Sequence, residues 1–298
     1  MRSLTLLSTI GLAFVLVMGV FVAPEADPTP RLPLSGNAAS PCDQGPSTSP
    51  TSIIYHLDHM AVDWGVFCEG TPTWALNNVT TPSLDGEALQ CAITGGQPYS
   101  NVHCYRTLLP DYTATAFTMT APFQFNQATT CNNAGGIPSM VQALEFTMNK
   151  WQQGQRYEWA LQWQNVGPGA PQWRYWDSSQ TPAQRWAPIS PTLSTCLSAG
   201  QWYTLTLEGD LVAGQVHYQR FSLDGQAHPL NITVPPAAVP GEPDRLAVGV
   251  QLDGNSAQTP YSFVIDQVSF IRTAKCAAVY TGGNGWVVYF TRAQTALL

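Results

Sequence analysis

The chain has 298 residues, with 12 Lys+Arg against 19 Asp+Glu, a formal net charge of −7, and only 10% charged residues. Aromatics make up 11% and include ten tryptophans, enough apolar material for a packed core, which excludes wholesale disorder. Lys150 and Lys275 are the only lysines, so no basic face is available for a phosphate backbone and nucleic acid is set aside as a partner.

Met1-Arg2 precedes an almost unbroken apolar run from Leu4 to Ala23, the pattern of a secretory signal. The run is also long enough to span a bilayer, and Phe21 spoils a small-x-small cleavage site. Residues 1–23 are therefore expected to be a signal peptide or an uncleaved anchor, the one route to a membrane. Localisation follows as secreted, or extracytoplasmic and tethered. Residues 24–50 carry seven prolines among Ser, Thr, Gly and Asn, a composition that reads as a disordered linker.

Seven cysteines in an exported chain read as disulfides. Cys91 and Cys104 lie symmetrically about Gln97-Pro98, which predicts a bridge across a hairpin. Cys131 with Cys196 and Cys42 with Cys68 are further expected pairs, leaving Cys276 over. A zinc cluster has no CxxC or HxxxH spacing behind it.

From residue 51 to 273 short alternating runs are separated by Gly, Pro, Asn and Asp, which predicts an all-β domain. Leu144, Phe146 and Met148 alternate with Ala143, Glu145 and Thr147. Tyr157, Trp159, Leu161 and Trp163 alternate with Glu158, Ala160, Gln162 and Gln164, so each strand should have one core face and one wet face. Asp85-Gly86, Asp224-Gly225 and Asp253-Gly254 supply tight turns. Residues 274–298 read as a C-terminal extension, either a last strand or a tail.

Four stretches, TTPSLDGEALQCAITGGQPYSN, VQALEFTMN, AGQWYTLTLEG and VGVQLDGNSAQTPYSFVIDQVSF, together resemble a family of secreted bacterial proteins with a concanavalin A-like (LamG-like) jelly roll. The resemblance implies an antiparallel two-sheet jelly-roll sandwich, export, and a ligand on the concave sheet face. The wider superfamily includes lectins, carbohydrate-binding modules, glucanases and lyases.

Glycan hydrolysis needs two carboxylates, and Glu145 with Glu158 on neighbouring strands is the candidate pair. The glucanase ExDxxE strand is absent, because Phe146, Thr147, Met148 and Asn149 follow Glu145. A lyase would use His103, Tyr105 and Arg106, close in sequence but without the lyase signatures. His56, Asp58 and His59 can be read as metal ligands or as polar surface. Asp253-Gly254-Asn255 offers the oxygens that a structural calcium takes, the one cofactor considered, and a hairpin turn explains the same residues.

Six tryptophans fall between positions 151 and 186. Trp159 and Trp163 read as core, whereas Trp173 and Trp176 sit in a Gly/Pro-marked stretch where sugar stacking and packing over the sandwich edge are equally good readings. Glu145, Gln162, Gln164, Gln251 and Asp253 are expected to line one polar surface, with Tyr99 and Asn101 at its rim. The leading expectation is an exported, non-catalytic carbohydrate-binding or adhesion module with glycan as its partner. The alternatives are a glycan hydrolase or lyase, and a structural cell-surface domain with a residue-poor face and both Trp173 and Trp176 buried.

Overall fold

A computed structural model describes residues 51–127, 129 and 140–274, together with the backbone of 278–281 and 285–288. Two antiparallel sheets pack face to face. The back sheet runs β13 (Gln226–Val234), β12 (Gln215–Leu223), β11 (Tyr203–Val212), β6 (Ala116–Phe125), β16 (Tyr261–Ile265), β4 (Ala88–Thr94) and β3 (Thr73–Val79). Beside β16, β17 (Ser269–Thr273) also pairs with β6 and carries β1 (Thr51–Ile54) on its outer edge. The front sheet runs β10 (Trp186–Pro188), β9 (Gln172–Trp176), β8 (Gln155–Gln164), β7 (Ala143–Gln152), β15 (Arg245–Asp253), β5 (Asn101–Leu108) and β2 (Trp64–Glu69), with the short β14 (Ala237–Ala238) on β8.

Strands adjacent in sequence repeatedly cross from one sheet to the other, the interleaving of a jelly-roll sandwich. A last hairpin, β18 (Ala278–Thr281) with β19 (Gly285–Val288), is a two-stranded ribbon of its own. The expected signal or anchor, the linker, Cys42, Cys131 and Cys276 all lie outside the described residues. Among the described residues no helix is long and apolar enough to cross a membrane.

The core lies between the sheets and follows the period-2 alternation. Tyr203, Leu205 and Leu207 of β11 are buried while Thr204, Thr206 and Glu208 between them are not. Phe123 of the back sheet meets Phe146 of the front sheet with ring centroids 4.9 Å apart, and Phe263 lies 5.5 Å from both. Trp159 and Trp163 join this layer, as expected for their strand phase.

The Cys91–Cys104 bridge forms, but its predicted setting was wrong. The cysteines do not face each other across a hairpin, because β4 belongs to the back sheet and β5 to the front sheet. Residues 95–100 carry the chain over the edge, so the buried disulfide ties one sheet to the other. Cys196 is also disulfide-bonded. Cys68 is a free thiol on the core side of β2, which corrects the Cys42–Cys68 pairing.

Candidate functional site

The outward face of the front sheet is a cleft of about 1140 Å³. Strand register builds it in rows, because opposite residues on neighbouring antiparallel strands share a face. One polar row crosses six strands in the order Arg174, Gln162, Glu145, Gln251, His103, Phe67. On one side lies a shorter row of Asp253, Asn101 and Glu69. On the other side Ala160, Thr147, Gly249 and Gly65 make a trough of small residues, in which the Tyr105 ring lies over Gly65. A Cβ at Gly65 would sit 2.7 Å from Tyr105 Cζ, so only glycine lets the ring come this close to the strand. Beyond the trough come Glu158 and Asn149, then Arg156, Trp151 and Arg245.

Hydrogen bonds lock the polar row. Gln162 Nε2 donates to Glu145 Oε1 at 2.5 Å, and Gln162 Oε1 accepts from Arg174 Nε at 2.8 Å and from its second guanidinium nitrogen. Gln251 Nε2 donates to Asp253 Oδ1 at 2.8 Å. Asn101 Nδ2 donates to Glu69 Oε2, and its own Oδ1 accepts the Glu69 N–H. A wet face was expected for Glu145, Thr147 and Gln162, yet all three are buried in the depth of the cleft.

Burial governs the charge states. Desolvation and the neighbouring Asp253 carboxylate push Glu145 well above the usual carboxylate range. Asp253 is itself raised to about 7, chiefly by desolvation and against the Gln251 hydrogen bond and the charge of Arg174. Glu158 is raised by burial, against the pull of Arg156 and Arg185, and its Oε2 lies 2.8 Å from Arg156 Nη2. Burial lowers His103 to about 4. At neutral pH the cleft therefore presents a neutral His103 imidazole, while burial favours the uncharged form of Glu145.

The two tryptophans in question part company. Trp173 belongs to β9 and is 0% exposed, packed 5.1 Å from Phe221 and 6.5 Å from Phe146, so its role as a ligand residue is overturned. Trp176, three positions later, faces the cleft, where it meets Trp186 edge-on at 5.1 Å and Arg185 at 5.5 Å. Arg245 stacks on Trp151 at 3.9 Å.

Tyr99, Asn101, Glu145, Glu158, Gln162, Gln251 and Asp253 are all brought to the cleft. Gln164 is not a lining residue, since its amide bonds the Val166 carbonyl and Gln172. His103 and Tyr105 face the cleft but Arg106 points the other way, holding the Leu57 carbonyl and the Asp63 carboxylate. That odd spacing breaks the expected His/Tyr/Arg group, and Arg174 is the arginine that reaches the polar row. The calcium expectation at Asp253 does not fit. Asp253 faces the cleft, whereas Asn255 Oδ1 already accepts from the Ala257 and Thr259 N–H groups and the Thr259 hydroxyl. Gly254 is a glycine because a Cβ would lie 2.6 Å from the Gln97 carbonyl, a close approach between loops and no tight turn.

Sequence reasoning missed Arg156, Arg174, Arg185, Trp151 and Trp186. For Arg174 the signal was present, since it shares strand phase with Trp176 and Gln172.

A two-sheet sandwich with an aromatic-walled, amide- and carboxyl-floored cleft is the class of protein that this geometry defines. No protein-family model and no curated protein matches the chain. Among solved structures it is similar to the carbohydrate recognition domain of Emp47p, at 13% identity and TM-score 0.43 over 74% of this chain and 94% of that one. It is also similar to an endo-β-1,4-glucuronan lyase from the fungus Trichoderma reesei, at 13% identity and TM-score 0.46 over 73% and 94%. Peanut lectin with a nine-residue peptide matches at 11% identity and TM-score 0.45, over 77% and 100%.

Proposed function

We propose that the protein is an exported glycan-binding module, of the kind that its LamG-like motifs resemble, holding a polysaccharide chain in the front-sheet cleft. One observation carries the reading: a trough of small side chains lies between a fixed row of amide, carboxyl and guanidinium groups and aromatic rings at the cleft walls. Sugars need both surfaces, hydroxyl partners in fixed directions and an apolar face to stack on. Two polar atoms support the same reading. Among the described residues nothing hydrogen-bonds the buried Asn149 Oδ1 or Trp176 Nε1, although both residues line the cleft. The Cys91–Cys104 bridge and the apolar N-terminal run support export, with or without retention of that run as a tether.

Glycan cleavage is the second reading, and the specific observation behind it is Glu145, a buried carboxyl beside Asp253 whose affinity for a proton is raised by desolvation and by that neighbour. Such a pair can supply a general acid and a base. Binding is preferred because both carboxyls are already tied to neighbouring amides, Glu145 to Gln162 and Asp253 to Gln251.

The test incubates the full chain with a neutral β-glucan, a xylan and a polyuronate. Gel retardation and the appearance of new chain ends are read from the same samples. Retardation without new ends is expected; new ends that vanish in Glu145→Gln would make the cleft catalytic.

A further inference from the structure

At one edge of the sandwich, outside the cleft, the connection from β1 to β2 meets the loop between β3 and β4. There His56 Nδ1 lies 3.4 Å from Asp85 Oδ2, and His59 Nε2 lies 3.5 Å from the same oxygen. His59 Nε2 is also 3.6 Å from Asp58 Oδ2. One ligand atom from each of His56, His59 and Asp85 falls within a 4.8 Å span. Four donors around a tetrahedral zinc, at bond lengths of about 2.0–2.1 Å, stand about 3.3 Å apart.

A second, independent observation comes from Asp58. Its side chain is 0% exposed, and its Oδ1 accepts the Val268 N–H at 2.6 Å. Among the described residues its other oxygen, Oδ2, has no hydrogen-bond donor and is directed at His59. A buried carboxylate oxygen without a donor is costly unless a cation completes it. Glu87 adds the complementary contact, with Oε2 4.0 Å from His59 Nδ1, the ring nitrogen that the cluster leaves over. At that distance the carboxylate adds negative charge beside the ring without a hydrogen bond to it. Asp266 places another carboxylate nearby, its Oδ2 bonded to Ser83 Oγ and the Leu84 N–H.

We propose that His56, His59 and Asp85 form a binding site for a divalent transition-metal ion of the zinc class, with the buried Asp58 carboxylate beside His59 as a charged neighbour of the ion. The two imidazoles select such an ion over calcium and magnesium, which take oxygen donors. Bound there, the ion would pin the start of the sandwich to the β3–β4 loop and would neutralise clustered negative charge. The role is structural and makes no use of the cleft.

The experiment uses the full chain, stripped with chelator and dialysed, and titrates Zn²⁺ alone against a chromophoric competitor. One zinc per chain is expected. In the His56→Ala/His59→Ala double variant the affinity should fall by more than about tenfold, since even removal of an outer partner of a ligand costs that much. Unchanged affinity in the double variant, or no zinc bound by the parent chain, overturns the proposal. A readout on the unaltered protein stands beside it in case the variant fails to fold. Co²⁺ in place of zinc should give tetrahedral visible bands without thiolate charge transfer; an octahedral spectrum, or a thiolate band implicating Cys68, overturns it equally.

Discussion

Trp173 and Trp176 stand three positions apart on one strand and point to opposite faces of the front sheet, one into the core against Phe221 and the other into the cleft against Trp186. An odd spacing on a strand always separates two side chains in this way. The pair therefore divides the molecule into what holds it together and what it presents.

Trp173→Ala should destabilise the fold by about 3–5 kcal/mol, because it empties a fully enclosed indole volume in the core. Trp176→Ala removes a half-buried ring at the cleft wall and should cost far less stability. Urea denaturation of the two variants, followed by far-ultraviolet circular dichroism, checks the contrast. Equal losses would contradict it.

The disulfide joins the sheets by closing a short loop, with Cys91 and Cys104 separated by 13 positions. Loop-closure entropy for such a length is worth about 3 kcal/mol. Cys91→Ala/Cys104→Ala should lower the unfolding free energy by about that amount, and added reductant should not destabilise this variant as much as the parent. Equal sensitivity to reductant would place the stabilisation at another bridge.

Two groups in the cleft oppose each other in the pH dependence of stability. Asp253 is raised to about 7, so it is protonated in the fold where an unfolded aspartate is already ionised, and the stability that it contributes is lost as pH rises from about 4 through 7. Glu145 acts in the same direction. His103, lowered to about 4, is neutral in the fold where an unfolded histidine is charged, so its contribution is lost as pH falls from about 6.5 through 4. Chemical denaturation between pH 4 and 8 should show Asp253→Asn gaining stability relative to the parent as pH rises. His103→Gln should lose its relative disadvantage as pH falls. Parallel curves for parent and variants would contradict these charge states.

Much of this was legible in the sequence. Period-2 runs such as Tyr157, Trp159, Leu161 and Trp163 gave the strands, and the polar partners of Leu144 and Phe146 gave part of the cleft floor. Pairing between strands was not legible. Residues symmetric about Gln97-Pro98 fit a hairpin and a sheet-to-sheet crossover equally well, and only the register of β4 with β16 and β5 with β15 decides between them. Trp173 was obscured because Gly167, Gly169 and Pro171 make its surroundings look like a loop, although β9 begins at Gln172. Asp85 stayed hidden as a neighbour of His56 because the two are 29 positions apart and meet only through loop packing.

The central claim is that the front-sheet cleft holds glycan, and its most direct measurement compares a half-buried tryptophan of the cleft with an exposed one outside it. Trp74 is 53% exposed on β3 of the back sheet, so it offers an alternative stacking platform outside the cleft. Affinity electrophoresis through gels containing the neutral β-glucan, the xylan or the polyuronate should show retardation of the parent chain by at least one of them. That retardation should be lost in Trp176→Ala and unchanged in Trp74→Ala. Loss in Trp74→Ala with full retention in Trp176→Ala would contradict the account and move binding to the other sheet.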